Sequence, residues 1–156
     1  PMPPMPAGVE DGVLRGLYCY ARHAGAAPSS PVVNLLASGS IMQQALAAAE
    51  LLVARGYAVN VWSVTSAGEL YRDARDCERW NRLHPLATPR VPHIQAALAD
   101  ERGVFVAVSD YMKATGDLLS RWMPGPFTTL GTDGYGVSES RAALRAHFEI
   151  GPRDIV

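Results

Sequence analysis

Three short apolar runs constrain this chain more than any other feature: V-V-N-L-L-A (Val32 to Ala37), Y-A-V-N-V-W-S-V (Tyr57 to Val64) and G-V-F-V-A-V (Gly103 to Val108). Apolar runs of this length, without strict alternation, suit strands covered on both faces of a parallel sheet. Parallel neighbours need crossover segments, and helical patterns fill the intervals. Ile41, Ala45, Ala48 and Leu52 fall at i, i+4, i+7 and i+11, which is one face of a 3.6-residue period. Arg55-Gly56 ends that helix with a cation in its last turn and a glycine at its stop. Strands alternating with helices predict an α/β domain with a mostly parallel sheet and helices on both faces.

The weaker signals fill in the order. Val13 to Arg22 reads as an edge strand and Gly25 to Pro31 as a turn. Ser38-Gly39-Ser40 reads chiefly as the cap of the helix that follows, and secondarily as an anion site at a helix N-terminus. Ser66 and Glu69 have capping-box spacing and predict a helix starting near Leu70. Pro85, Pro89 and Pro92 interrupt the segment after it. Ile94 to Ala99 and Tyr111 to Trp122 read as helices, Phe127 to Leu130 as a short strand, and Ser138 as the cap of a last helix with Leu144 and Phe148 on one face. The expected organisation is a linker-like segment over residues 1–12, opening P-M-P-P-M-P, and a single domain over 13–156; both ends are expected to be cut from something longer.

Composition excludes several function classes. At 156 residues one domain can bury roughly 70% of its unfolded surface, and 48% hydrophobic against 19% charged residues describes a globular chain. A formal net charge of −1 without a dense basic run gives no electrostatic reason for nucleic acid. No run approaches the roughly 18 apolar residues of a membrane span, and no secretory signal opens the chain, so a cytoplasmic location is expected. Cys19 and Cys77 are read as reduced thiols rather than a disulfide or zinc framework, and the four histidines lack zincin spacing. No metal site is expected.

The stretch D-C-E-R-W-N-R-L-H-P-L-A-T-P-R-V-P, Asp76 to Pro92, gathers carboxylates, a thiol, imidazole, indole and guanidinium groups. Glu78 and Arg82 form a predicted i, i+4 pair; Cys77, Trp80 and Leu83 are expected toward the core. Arg79 is a nearer neighbour for Cys77 than any general base, so a Cys77–His84 nucleophile pair is disfavoured. Tryptophan and arginine are over-represented among interface anchors, and a proline-stiffened strap stays extended at low entropic cost, so docking is the preferred reading. The candidate interface or structural residues are Arg79, Trp80, His84 and Arg90 here, and Asp110, Asp133 and Tyr135 near the carboxyl end of the sheet. Asp110 either caps the helix after it or lines a cleft. The run Gly131-Thr132-Asp133-Gly134-Tyr135-Gly136 requires positive φ or close backbone approach and is either a ligand loop or a tight turn with Asp133 bonding its own backbone. No catalytic triad, paired catalytic carboxylates or metal triad emerges, and no catalytic or cofactor-binding residue is assigned.

Five segments in order resemble one family: S-V-T-S-A-G-E-L (Ser63 to Leu70), R-D-A-R-D-C-E-R-W-N-R-L-H-P (Arg72 to Pro85), T-P-R-V-P (Thr88 to Pro92), S-D-Y-M-K (Ser109 to Lys113) and L-G-T-D-G-Y-G-V-S-E-S-R (Leu130 to Arg141). They are similar to the C-terminal, transketolase-like domain of homodimeric bacterial pyruvate dehydrogenases, in the thiamine-dependent decarboxylating component. The resemblance implies a three-layer α/β domain with an antiparallel edge strand. It implies a parent enzyme whose other domains hold thiamine diphosphate and Mg²⁺ and act on pyruvate and lipoyl-lysine. Implied partners are those remaining domains, a second copy in a homodimer, and the lipoyl acyltransferase component. The diphosphate, metal and pyrimidine-binding motifs have no counterparts here, so the fragment itself is expected to be inactive. Alternative readings are a stand-alone anion- or nucleotide-binding module, a structural subunit that assembles with separate cofactor-binding chains, or a domain of a paralogous 2-oxo acid dehydrogenase.

Overall fold

A computed structural model describes residues 4–156; the first three residues of the linker-like segment, 1–3, lie outside the described residues. The elements run α1 (Glu10–Arg15), β1 (Leu17–His23), β2 (Val32–Ala37), a 3₁₀ turn (Gly39–Ile41) leading into α2 (Met42–Ala54), β3 (Ala58–Val64), α3 (Ala67–Leu83), α4 (His93–Ala97), β4 (Val104–Val108), α5 (Lys113–Asp117), a second 3₁₀ turn (Ser120–Trp122), β5 (Phe127–Leu130) and α6 (Arg141–His147). The five strands lie in the order β1-β3-β2-β4-β5. β3, β2, β4 and β5 are mutually parallel, and β1 pairs antiparallel with β3 along the edge. The three apolar runs are thus the three central strands, as their lack of alternation predicts.

Each face of the sheet has its own core. On one, Ile41 of the first 3₁₀ turn and Met42, Ala45, Ala48, Ala49 and Leu52 of α2 pack on Leu35, Val59, Val61 and Val108, joined by Ile150 and Ile155. The alanines let α2 approach the sheet closely, and the predicted stripe is buried at all four positions. On the other, Leu70 and Ala74 of α3, Ile94, Leu98, Leu119 and Trp122 cover Leu36, Trp62, Phe105 and Ala107. Burying a large apolar side chain contributes about 1.5–3 kcal/mol, so both layers are needed to hold the sheet.

Several local expectations are corrected. Val13 to Arg22 is not one strand. Its first part belongs to α1, with Glu10 and Asp11 at the positive end and Arg15 at the negative end of the helix, and Gly16 at φ 97° breaks the helix before β1 begins. The helix expected over Tyr111 to Trp122 starts only at Lys113 and divides into α5 and the second 3₁₀ turn. The backbone of Tyr111 is instead tied to the loop after β5, where its carbonyl accepts from the Thr132 amide at 2.8 Å. Ser140, not Ser138, caps α6, accepting from the Ala143 amide. Ser66 does cap α3 as predicted, but the Glu69 side chain pairs with Arg72 instead of turning back to complete the box.

Candidate functional site

The stretch Asp76 to Pro92 forms a clamp at the end of α3. The Trp80 indole has two partners: His84 stacks on it with ring centroids 4.5 Å apart and planes at 17°, and the Arg90 guanidinium lies over the ring, 4.3 Å from its centroid. The Asn81 amide holds the returning strap by two bonds, Nδ2 donating to the Arg90 carbonyl at 2.9 Å and Oδ1 accepting from the Arg90 amide at 2.8 Å. His84 Nδ1 donates to the Trp80 carbonyl at 2.8 Å. Farther along, the Asp73 carboxylate accepts from the His93 amide at 2.6 Å, and His93 Nε2 donates to the Leu17 carbonyl at 2.9 Å, fastening the strap to β1. A cation over an exposed ring contributes about 0.5–1 kcal/mol and a net hydrogen bond about 1 kcal/mol, so the clamp is set by several modest contacts rather than by burial. Its outer side presents Leu83, Val91 and Leu86, the last 101% exposed.

This geometry corrects the sequence reading of α3. The buried stripe is Leu70, Ala74 and Cys77; it ends there, leaving Trp80 half-buried and Leu83 outward. Glu78 does not pair with Arg82. It accepts from Trp122 Nε1 and pairs with Arg121 Nε, both at 3.1 Å, and meets Arg75 at 3.1 Å. Arg79 is exposed, and the cations felt by the Cys77 thiol are Arg90 and Arg15. Burial is the largest influence on both Cys77 and Cys19 and pushes both thiols up. Cys77 lies in the core while the His84 ring is occupied by Trp80, so the chain does not assemble a thiol and its base.

At the carboxyl end of the sheet the glycine-rich loop folds back on the β4–α5 connection. Ser40 Oγ donates to Asp110 Oδ2 at 3.1 Å, and Thr132 Oγ1 donates to the Asp110 carbonyl at 3.0 Å. Asp110 therefore lines a cleft and does not cap α5. That role falls to Asp133, whose Oδ1 accepts from the Lys113 amide at 2.9 Å, rather than bonding its own backbone. Gly131 is required by close approach, because a Cβ there would sit 2.5 Å from the Tyr111 carbonyl oxygen. Tyr135 stands 97% exposed, with Tyr111 and Met112 also outward. Ser38 to Ser40 supply no side-chain cap to the turn or to α2; the Ser40 hydroxyl is turned toward Asp110 instead.

Sequence reasoning missed a buried polar network on the α3 side of the sheet. Asn34 Oδ1 accepts from Asn60 Nδ2 at 3.0 Å and Trp62 Nε1 at 3.3 Å, while Asn34 Nδ2 donates to the Arg102 carbonyl at 2.9 Å. Asn60 Nδ2 also donates to Glu101 Oε2 at 2.7 Å, and Glu101 Oε1 pairs with Arg22 at 2.5 Å. Asn34 and Asn60 are register partners in adjacent parallel strands. The available signal was one asparagine inside each of two otherwise apolar strand runs.

The cavity at the ends of β2, β3 and β4 does not fit thiamine diphosphate and its metal. It measures about 190 Å³, opens partly to solvent, and is lined by Leu36, Val64, Ala107 and hydroxyl side chains, with no carboxylate to hold a cation. Among the described residues no three His, Cys, Asp or Glu side chains gather as a metal site, and no helix is long and apolar enough to cross a membrane.

Comparison with known proteins agrees with this architecture. The chain is 47% identical over 152 residues to the pyruvate dehydrogenase E1 component of Escherichia coli K12, a match covering 96% of this chain and 16% of that protein. It is 44% identical over 148 residues to the Mycobacterium tuberculosis pyruvate dehydrogenase E1 component, covering 94% of this chain and again 16% of the relative. The fold matches the crystal structure of Campylobacter jejuni transketolase with a TM-score of 0.59 at 18% identity, over 91% of this chain and 18% of that one. Residues 16–151 match the family described as the transketolase-like TK C-terminal domain. With the whole five-stranded sheet and every helix but α1 inside that match, the chain belongs to the transketolase C-terminal domain family.

Proposed function

We propose that this chain is the C-terminal structural and dimerisation domain of a pyruvate dehydrogenase decarboxylating component, a single domain over 13–156 that docks and buttresses catalytic domains it does not contain. The observation that carries the reading is the clamp. Trp80, His84, Arg90 and Asn81 spend their interactions on holding a strap rigid, while Leu83, Leu86 and Val91 remain outward. A preformed ridge with apolar side chains outside and a Trp–Arg pair beneath has the chemistry of an interface anchor. Tyr111, Met112 and Tyr135 give the carboxyl end of the sheet a second such surface. The likeness to pyruvate dehydrogenase E1 components supports the identity of the parent, and 16% coverage of those relatives supports a division of labour.

In this reading the parent's other domains bind thiamine diphosphate and Mg²⁺, and the cofactor supplies the electron sink for oxidative decarboxylation of pyruvate with acetyl transfer to lipoyl-lysine. The partners are those domains, a second copy of the enzyme and the lipoyl acyltransferase component, in the cytoplasm. The test is twofold. The purified chain, given thiamine diphosphate, Mg²⁺ and pyruvate, should release no CO₂; mixed with the cofactor-binding domains, it should form a complex measurable by sedimentation. Turnover by the chain alone, or failure to associate, overturns the proposal.

A further inference from the structure

The sheet reverses its winding direction between β2 and β4. After β2 the chain turns to α2 on one face, and after β4 it turns to α5 on the other. The two departing loops leave a crevice at the carboxyl ends of these strands, the place where open α/β sheets collect ligands. A cavity of about 400 Å³ opens there, floored by Ile41, Leu144 and Phe148 and bordered by Asp110, Arg141 and Arg145.

The two arginines lie one turn apart on α6, both lining this cavity. Among the described residues neither has a carboxylate within ion-pairing distance, although Arg145 is half-buried. A partly buried guanidinium normally finds an anion, because desolvation without one is costly. Arg145, in the last turn, at least complements the helix dipole; Arg141, in the first turn, opposes it. The one carboxylate in the cavity, Asp110, accepts from Ser40 and leaves both guanidiniums unpaired, so the cavity carries a net positive charge over an apolar floor. Two guanidinium forks on one helix face match a phosphoryl group better than a monovalent anion, since each fork can donate two bonds to its oxygens.

We propose that this crevice binds the phosphate of a small phosphorylated ligand, held by Arg141 and Arg145, at a site separate from the docking clamp. The site needs neither the dimerisation reading nor the parent enzyme's cofactor, so its test stands apart from theirs.

The test uses the 156-residue chain and inorganic pyrophosphate as the probe, titrated by calorimetry in a buffer kept at constant ionic strength with potassium chloride. The expected result is saturable one-site binding, with amide shifts in the ¹H–¹⁵N spectrum confined to the loops of Ser40 and Thr132 and to α6. Arg145→Gln and Arg141→Gln should each weaken binding at least roughly tenfold, the loss of one charge-assisted contact. Arg55→Gln, at the far end of α2, removes the same charge and should leave the affinity unchanged. Each variant's melting curve identifies any that fails to fold; Arg145→Lys then replaces it, retaining charge but losing the fork. Absence of saturable binding, equal weakening by Arg55→Gln, or shifts centred elsewhere overturns the proposal.

Discussion

Replacing Asn34 with alanine isolates the contribution of the buried network. Asn34 is fully buried, and its carbonyl oxygen is the acceptor of Trp62 Nε1. In Asn34→Ala the indole N–H loses that acceptor inside the core, a cost of about 1–3 kcal/mol for an unsatisfied buried donor. Asn60 also loses a partner but keeps Glu101, and the Arg102 carbonyl belongs to an exposed residue that water can reach. The lost bond to Arg102 adds about 1 kcal/mol, so the expected total is about 2–4 kcal/mol. That is a large share of the roughly 5–15 kcal/mol holding a typical domain. Urea unfolding followed by circular dichroism should show a lower midpoint with an unchanged slope, and the melting temperature should fall about 2–4 °C per kcal/mol. The network makes a further demand: Asn34→Ala combined with Trp62→Phe should cost about 1 kcal/mol less than the sum of the two single changes, because the second removes the donor stranded by the first. A single variant within about 0.5 kcal/mol of the parent, or strict additivity, would refute the assignment.

Other residues give independent expectations. Trp80→Ala should lower the unfolding free energy by only about 1–2 kcal/mol, the sum of its stack and cation contact, yet weaken association with the cofactor-binding domains about tenfold or more. A collapsed melting point with unchanged association would place Trp80 in the core instead. Asp133→Ala should cost about 0.5–2 kcal/mol and speed hydrogen exchange at the Lys113 amide, while Asp133→Asn, which keeps the acceptor, should stay near the parent. Cys19 and Cys77 have raised pKa values, chiefly from burial, so a native thiol probe at neutral pH should react far more slowly than in urea. The raised folded-state values also fix the sign of the pH dependence. Both thiols are neutral in either state below the ordinary value of 9.0, and stability falls above it as the unfolded chain ionises first. Cys19→Ser with Cys77→Ser should flatten that alkaline loss.

The parts legible in the sequence are those set by local periodicity. The α2 stripe and the three central strands follow from repeated burial on one or both faces, and each residue repeats the message of its neighbours. Ser66 was legible because a cap acts within three residues. The remaining elements depended on partners distant in the chain. Asp133 caps a helix that precedes it by twenty residues, Glu78 turns from its helical neighbour Arg82 to Arg121 and Trp122, and Asn34 meets Asn60 only once β2 and β3 are in register. The clamp lies between these extremes. Its prolines and aromatic–cation composition marked Asp76 to Pro92 as a strap, but only the fold shows that His84 and Arg90 both converge on one indole.

The most direct measurement is sedimentation velocity on this chain mixed with cofactor-loaded catalytic domains, run alongside a CO₂-release assay of each component. The account predicts a defined complex that Leu86→Asp or Trp80→Ala disrupts, with no CO₂ from the chain by itself. Pyruvate decarboxylation by these 156 residues unaided, or two components that sediment independently, would contradict it.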